Sequence, residues 1–272
     1  CACPIFAGTG ERGFAGDEGP AAEALLNEPY GGVVSRAGQI FFADRLNWLV
    51  RTIDPAGRIT TLSGNGSGQY SGDGGPATAA GLVEPNGLAL DAAQTKLYIA
   101  DVAGHRVRVI DLATGTIATF AGTGEAKHDG DGGKATAAGI FGARAVAFAP
   151  DGSLYVMERQ GSSIRRIRDG IIETVAGTPG MRGYDGDGGH AGAAVFAAPK
   201  EMAVDAAGNI YVVDTENHAI RMIAADTWTV DTIAGPSTGA GLARPHGAAV
   251  GPDGAIYIGD SETHRVRRLA RA

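Results

Sequence analysis

The chain has 272 residues, a formal net charge of -7, a pI near 5.4 and 44 glycines. This length can bury a sizeable core, and the glycine content favours short elements joined by many turns, as in an all-β protein. The acidic balance argues against a nucleic-acid partner, which requires a basic face, and no run of 18 apolar residues suggests a membrane span.

The first residues contain both cysteines, Cys1 and Cys3. Their separation is too short for an unstrained mutual disulfide, so free thiols are expected. A cysteine at position 1 is also compatible with the lipidated first residue of a processed lipoprotein. The compartment is left open, with an extracytoplasmic location, periplasmic or lipid-anchored through Cys1, favoured over a cytoplasmic one.

A repeated unit follows, written most cleanly at residues 85–122, and it occurs five times. An acidic residue closes the second apolar run of each copy, with spacings of 57, 57, 56 and 46 residues. These residues are Asp44, Asp101, Glu158, Asp214 and Asp260.

Each copy alternates apolar and polar residues in four short runs separated by turns, which predicts four antiparallel strands. Four-stranded units repeated radially form the blades of a β-propeller. We therefore predict one domain over residues 1–272, and a strand at 4–8 is expected to close the last blade. Six blades remain the alternative for a truncated chain. The predicted blades are about 29–65, 85–122, 143–177, 199–235, and 245–272 with 4–8.

The fourth copy carries the strongest family resemblance. Its segment resembles the D-T-x-N-H-x-I-R hallmark of the NHL repeat, and the matching residues are Asp214, Thr215, Asn217, His218, Ile220 and Arg221. The resemblance extends over nearly the whole chain. It implies a propeller fold and, by itself, little about function.

Four of the links between blades contain a glycine-rich motif, of which DGDGG at 129–133 is one example. It lacks the bidentate glutamate of an EF-hand loop, so we interpret it as a turn that leads into a short helix. Pro20 and Pro76 suit the first helical position. One aspartate recurs in all four links and is expected to favour the helix start: Asp17, Asp73, Asp131 and Asp187.

The strongest candidate site lies at the start of the innermost strands, where the residue after the first proline, or its equivalent, differs in every copy. A propeller places this position at the central channel. Five different polar residues there are hard to explain by packing alone: Tyr30, Asn86, Arg144, Lys200 and His246. Arg144 and Lys200, opposed by Glu201, predict a small anionic or polarised ligand.

A second resemblance concerns residues 85–101, which are similar to a motif of SMP-30/gluconolactonase-type hydrolases. Asn86 matches the metal-ligating asparagine of that family. The family's aspartate aligns with Lys200, and Glu201 could replace it only if the strand start is irregular. The resemblance implies one divalent metal, calcium or zinc, held by Asn86 and Glu201.

Together these patterns predict a monomeric hydrolase of small ester-like substrates: a lactone, an aryl ester or a phosphotriester. His246 is the predicted base, Tyr30 donates to a developing oxyanion, Arg144 and Lys200 bind substrate, and Glu201 with Asn86 holds water or metal. Two alternatives stay open: a non-catalytic NHL binding module and a propeller lyase.

Overall fold

The computed structural model describes residues 5–270 of the protein. The chain divides into two compact units, Cys1–Phe120 and Ala121–Ala272, and each is described by itself. Within residues 5–270, no helix is both long enough and apolar enough to cross a membrane.

The first unit contains two antiparallel four-stranded sheets, each following chain order from β1 to β4 and from β5 to β8. The strands are β1 (Pro29–Val34), β2 (Ile40–Asp44), β3 (Leu49–Ile53), β4 (Ile59–Ser63), β5 (Pro85–Leu90), β6 (Lys96–Asp101), β7 (Arg106–Asp111) and β8 (Thr116–Ala121). Apolar side chains from both sheets form one core, which includes Phe41, Leu88 and Ile99.

The second unit contains three antiparallel sheets. The strands are β9 (Ala143–Phe148), β10 (Leu154–Glu158), β11 (Ser163–Arg168), β12 (Ile171–Ala176), β13 (Gly189–His190), β14 (Glu201–Val204), β15 (Ile210–Asp214), β16 (Ala219–Ile223), β17 (Thr229–Ala234), β18 (Pro245–Val250), β19 (Ile256–Asp260) and β20 (Arg265–Leu269). The short strand β13 pairs with β17, outside the four strands β14 to β17.

Each of the five sheets corresponds to one sequence repeat, so the all-β fold with five propeller blades is confirmed for residues 5–270. Each predicted blade contains one of these sheets. That residues 1–272 form a single domain stays a prediction.

The last blade differs from the prediction, because β18, β19 and β20 form a three-stranded sheet. Residues 5–8 adopt no strand, and the side chains of Ile5 and Phe6 are exposed. The predicted closing strand at 4–8 is therefore wrong for its described part, and Pro4 lies outside the described residues. The apolar residues of this segment instead line a cavity with Leu26, on the first unit.

The recurring link aspartates have a different role from the one predicted. In four blades the third strand carries a fully buried arginine, and the link aspartate accepts an ion-paired hydrogen bond from it. The four pairs measure 2.5, 2.7, 2.7 and 2.8 Å: Asp17–Arg51, Asp73–Arg108, Asp131–Arg165 and Asp187–Arg221. These pairs fasten each long link to its blade.

The acidic residue at the end of each second strand completes this arrangement. Its carboxylate accepts a hydrogen bond from a backbone N–H of the link, for example from Ala197 to Asp214 at 2.8 Å. The buried arginine also donates to link carbonyls, as Arg221 does to Val195 at 3.1 Å. These backbone N–H and C=O groups of the link are thus paired, as is usual for buried polar groups.

The predicted link helices are present as single 3₁₀ turns: Ala21–Glu23, Ala77–Ala79, Ala135–Ala137 and Ala191–Ala193. Pro20 and Pro76 precede the first helical residue instead of occupying it. Further 3₁₀ turns lie at Arg45–Asn47, Thr215–Asn217, Pro236–Thr238 and Ser261–Thr263.

Candidate functional site

The clearest chemical contact at the predicted site joins Lys200 and His246 in the second unit. Lys200 immediately precedes β14, and His246 is the second residue of β18. The Lys200 Nζ donates to His246 Nε2 at 2.6 Å. Lys200 is only 8 % exposed, so this is not a flexible surface contact.

The surroundings of Lys200 disfavour its charged form. Burial is the largest cause, and the nearby guanidinium groups of Arg244, Arg144 and Arg159 add to it. Together they lower the pKa of Lys200 to about 8. The three guanidinium groups, opposed by Glu216, make the surroundings of Lys200 positive, which favours an anion.

His246 experiences the same field. Burial, followed by the charges of Lys200, Arg244 and Arg144, lowers the pKa of His246. The imidazole is therefore neutral near pH 7, and its Nε2 can accept the proton offered by Lys200. A neutral imidazole beside a less basic amine is suited to proton transfer.

Arg244 is the cationic residue that sequence reasoning missed. Its guanidinium pairs with Glu216 at 2.7 Å and with Glu262 at 3.0 Å, which anchors it beside β18. The available signal was its position: it precedes Pro245, where the first two copies carry Glu28 and Glu84 instead. The charge at this position is therefore reversed in the fifth copy, which distinguishes that copy from the first two.

Glu201 and His246 both experience the charge of Arg144, but their hydrogen-bond partners differ. Its carboxylate accepts a hydrogen bond from the backbone N–H of Met202 at 3.0 Å. Loss of hydration raises the pKa of Glu201 to about 7, although Arg144 opposes this effect. Strand β14 pairs with β15 without a register shift, so the irregular start that a metal-binding Glu201 requires is not found in this strand.

Tyr30 and Asn86 lie in the first unit, on β1 and β5. Gly31 approaches the carbonyl oxygen of Asn86 so closely that an added Cβ would lie 2.3 Å away, so the two strands touch here. The Tyr30 ring lies 5.6 Å from the guanidinium carbon of Arg45.

Asn86 is 1 % exposed, and neither Oδ1 nor Nδ2 has a hydrogen-bond partner among residues 5–270. A buried amide without partners normally binds water or a ligand. Asn86 is thus the better supported of the two predicted metal-binding residues, yet it offers a single neutral oxygen.

The described residues do not assemble a metal-binding cluster. Across positions 5–270 no three His, Cys, Asp or Glu side chains are grouped closely enough to hold an ion. Together with the desolvated Glu201, this donor set does not fit calcium or zinc, which take several oxygen, nitrogen or sulfur ligands. The divalent metal stays a prediction, and no step below depends on it.

Comparisons with known proteins confirm the class of protein. The NHL repeat family model matches residues 242–269. This match identifies one NHL repeat in the last blade, and the other four repeat-derived blades resemble it in sequence.

Teneurin-1 from Mus musculus is 31 % identical over 256 residues, which cover 81 % of this chain. The matched region spans 9 % of teneurin-1, so the chain corresponds to a small part of that relative.

Two solved enzyme structures share the fold. A gluconolactonase from Xanthomonas campestris has a TM-score of 0.58 at 15 % identity, covering 86 % of this chain and 70 % of that one. A virginiamycin B lyase from Staphylococcus aureus in complex with quinupristin has a TM-score of 0.57 at 17 % identity, covering 89 % and 66 %. At these identities the likeness concerns the fold alone.

Proposed function

We propose that the second unit binds a small anionic or strongly polarised molecule and hydrolyses an ester-like bond in it. The observation that carries this proposal is the buried contact between Lys200 and His246, in which both groups have a lowered pKa. Paired groups with perturbed pKa values are typical of catalytic sites.

Binding follows from the local charge. Lys200 and Arg144 present positive charge to a carbonyl, carboxylate or phosphoryl oxygen, which is strongly attracted in a region of poor hydration. An incoming anion also restores the basicity of Lys200, so binding relieves part of the cost of burying the ammonium group.

Hydrolysis then uses His246, whose Nε2 loses its hydrogen bond from Lys200 when the substrate binds. When Lys200 turns its proton toward the substrate oxygen, Nε2 of His246 becomes free to accept a proton from water. The resulting hydroxide attacks the carbonyl carbon or phosphorus, the bond to the leaving oxygen breaks, and the leaving group takes the proton from His246. One water is consumed, and an acid and an alcohol are formed.

The remaining predicted roles are kept as proposals. Tyr30 and Asn86 lie in the first unit, and their predicted roles as oxyanion donor and holder of water stay proposals; among residues 5–270 the buried amide of Asn86 has no hydrogen-bond partner. Glu201 is predicted to hold water or metal with Asn86; because burial raises its pKa to about 7, we add the proposal that it also carries a proton.

The proposal is tested with lactone, aryl ester and phosphotriester substrates on the full chain. We expect His246→Gln to lower kcat about 100-fold, in the range for loss of a general base. We expect Lys200→Met chiefly to raise KM and to weaken binding of inorganic phosphate measured by calorimetry. Arg168→Met, on an exposed side chain of the same unit, is the matched control. Full turnover by His246→Gln would disprove the assigned base.

A non-catalytic binding module is the second candidate, favoured by the 31 % identity to a segment of teneurin-1, compared with 15–17 % for the enzyme structures. Phosphate binding without turnover of any ester would support this module. A lyase would instead give an unsaturated product that contains no oxygen from labelled water.

A further inference from the structure

A pocket of about 340 Å³ lies in the first unit, beside the first blade. Its volume falls in the range of small-molecule sites. The residues that matter for its chemistry are Phe14, Asp17, Asn47, Trp48, Thr61 and Asn65. None of them belongs to the site described above.

Two aromatic rings line the pocket and remain exposed, Phe14 by 54 % and Trp48 by 38 %. Both are held in place. The Phe14 ring lies 5.0 Å from the guanidinium carbon of the buried Arg51, and the Trp48 indole packs against Gly68. Two fixed aromatic surfaces open to water at one cavity indicate a binding surface.

The first of these rings marks the blade as different from its relatives. Phe14 occupies the link position of Tyr70 and Tyr184 in the second and fourth blades. Each tyrosine hydroxyl lies within hydrogen-bonding distance of a strand threonine, Thr119 at 3.1 Å and Thr232 at 2.7 Å. Phe14 lacks this hydroxyl and leaves the corresponding space without that contact.

The second ring is also unique among the repeats. Trp48 occupies the position of the histidine in the NHL hallmark, which is His218 in the fourth blade. His218 Nδ1 accepts a hydrogen bond from the backbone of Arg244 at 3.0 Å, whereas no hydrogen bond of the Trp48 indole is found among the described residues. The first blade thus lacks two polar contacts that other blades have, and its Phe14 and Trp48 rings both line the pocket.

The charge of the pocket is balanced. Asp17 accepts hydrogen bonds from Arg51 at 2.5 Å and from Thr61 at 2.7 Å. Its side chain stays 34 % exposed, so its oxygens can accept further donors. Arg51 donates to Asp17, is shared with Asp44 at 3.3 Å, and covers one face of Phe14, so an organic cation gains less here than beside an unpaired carboxylate and an open ring.

The two asparagines differ: Asn47 adds an acceptor, whereas Asn65, whose carbonyl oxygen accepts from the backbone N–H of Ser67 at 3.0 Å, adds a donor. Asn47 donates both N–H groups, to Gly13 and Asp44, and therefore offers its carbonyl oxygen. Asn65 donates one N–H to Ala79 and retains the other. Acceptors at the pocket outnumber donors, which favours a ligand that carries several hydroxyl groups.

From these features we propose that this pocket binds a neutral pyranose ring. The C–H faces of such a sugar would cover Phe14 and Trp48, and its hydroxyls would donate to Asp17, Asn47 and Thr61. An anion is disfavoured by the carboxylate of Asp17, and no formal charge on the ligand is needed.

The test uses the full chain with Trp228→Phe, which leaves Trp48 as the single tryptophan. Methyl glycosides of glucose, galactose, mannose and N-acetylglucosamine are titrated up to about 50 mM while fluorescence is recorded, and calorimetry follows the best binder. We expect saturable binding by at least one glycoside. Trp48→Ala should weaken the affinity about tenfold, since tryptophan anchors dominate small interfaces.

Phe14→Tyr is the second variant, because it restores the tyrosine that related blades carry and keeps the ring. We expect its hydroxyl to occupy Asp17 or Thr61 and to weaken binding severalfold, while circular dichroism stays unchanged. Tyr184→Phe, at the equivalent position of the fourth blade, should leave the affinity unaltered. Absence of binding by all four glycosides, equal affinity in Trp48→Ala, or saturable quenching by tetramethylammonium alone would overturn the proposal.

Discussion

Replacing Lys200 by methionine should stabilise the protein at neutral pH. The side chains have similar length, but methionine removes an ammonium group that burial and three arginines disfavour. A pKa lowered from 10.5 to about 8 means that the charged lysine opposes folding. Functional sites commonly carry such a cost.

The magnitude follows from the lowered pKa of Lys200. At 1.36 kcal/mol per pKa unit, the difference between 10.5 and about 8 sets an upper bound of about 3 kcal/mol. Water that reaches the ammonium and the lost hydrogen bond to His246 reduce the expected gain to about 1–2 kcal/mol.

The pH dependence has a definite sign. Below pH 8 the lysine is protonated in both the folded and the unfolded state, so the cost is fully present. Between pH 8 and 10.5 the unfolded state binds more protons, and wild-type stability therefore rises with pH relative to the variant. The advantage of Lys200→Met should disappear across this interval.

Urea denaturation of both proteins at pH 7 and at pH 10.5 measures the difference in their free energies of unfolding. Groups that titrate in the same way in both proteins do not contribute to this difference. His246 should also gain basicity in the variant, which NMR titration of its ring can follow, because Lys200 contributes to its lowered pKa. A variant that is less stable at pH 7, or equally favoured at both pH values, would refute the reasoning.

Three further outcomes are expected. Arg221→Met should cost about 3 kcal/mol of unfolding free energy, because it leaves the buried Asp214 and the partly exposed Asp187 without their cation. Arg268→Met, on an exposed ion pair, should change little, and a common urea midpoint of the two variants would contradict this. Gly31→Ala should destabilise the protein by about 2 kcal/mol or more, because the new Cβ would lie 2.3 Å from the carbonyl oxygen of Asn86. Gly57→Ala is the control in the same assay: its φ is also positive but the space around it is open, so it measures backbone strain without a collision. Ester turnover should rise with pH to a midpoint below 6.5, because only neutral His246 accepts a proton; a midpoint above 6.5 would exclude it as the base.

Repeat spacing predicted the blades because a two-residue alternation leaves few other structures for such short runs. The equivalent positions of Lys200 and His246 could also be compared across copies, and these two residues do meet. The closing strand at 4–8 could not be decided this way. An apolar run of five residues fits a sheet edge and a surface cavity equally well, and the choice depends on tertiary contacts.

The role of Asp187 was misjudged for a related reason. Its position beside a helix start suggested a local electrostatic effect, but its partner Arg221 lies 34 residues later. The ion pair with the buried Arg221 outweighs the electrostatic interaction between Asp187 and the single 3₁₀ turn, because the dipole of one turn is small. An ion pair between a link residue and a distant strand residue cannot be predicted from the sequence of either segment alone.

The third blade shows how such pairs restrict change within a repeat. In the fourth blade the side-chain amide of Asn217 donates to Asp214. The equivalent positions of the third blade carry Glu158, which is longer than aspartate, and Gly161. A Cβ on Gly161 would lie 2.7 Å from Glu158 Oε2, and one on Gly104 would lie 2.6 Å from Asp101 Oδ2 in the second blade, so in both blades the acid occupies the space of the missing side chain. His128 then bonds Glu158 in place of the lost amide. Variation at these positions is therefore coupled by space and hydrogen bonding. Lys200 and His246, which also differ from the residues at the equivalent positions of the other copies, are coupled in the same way through their 2.6 Å contact.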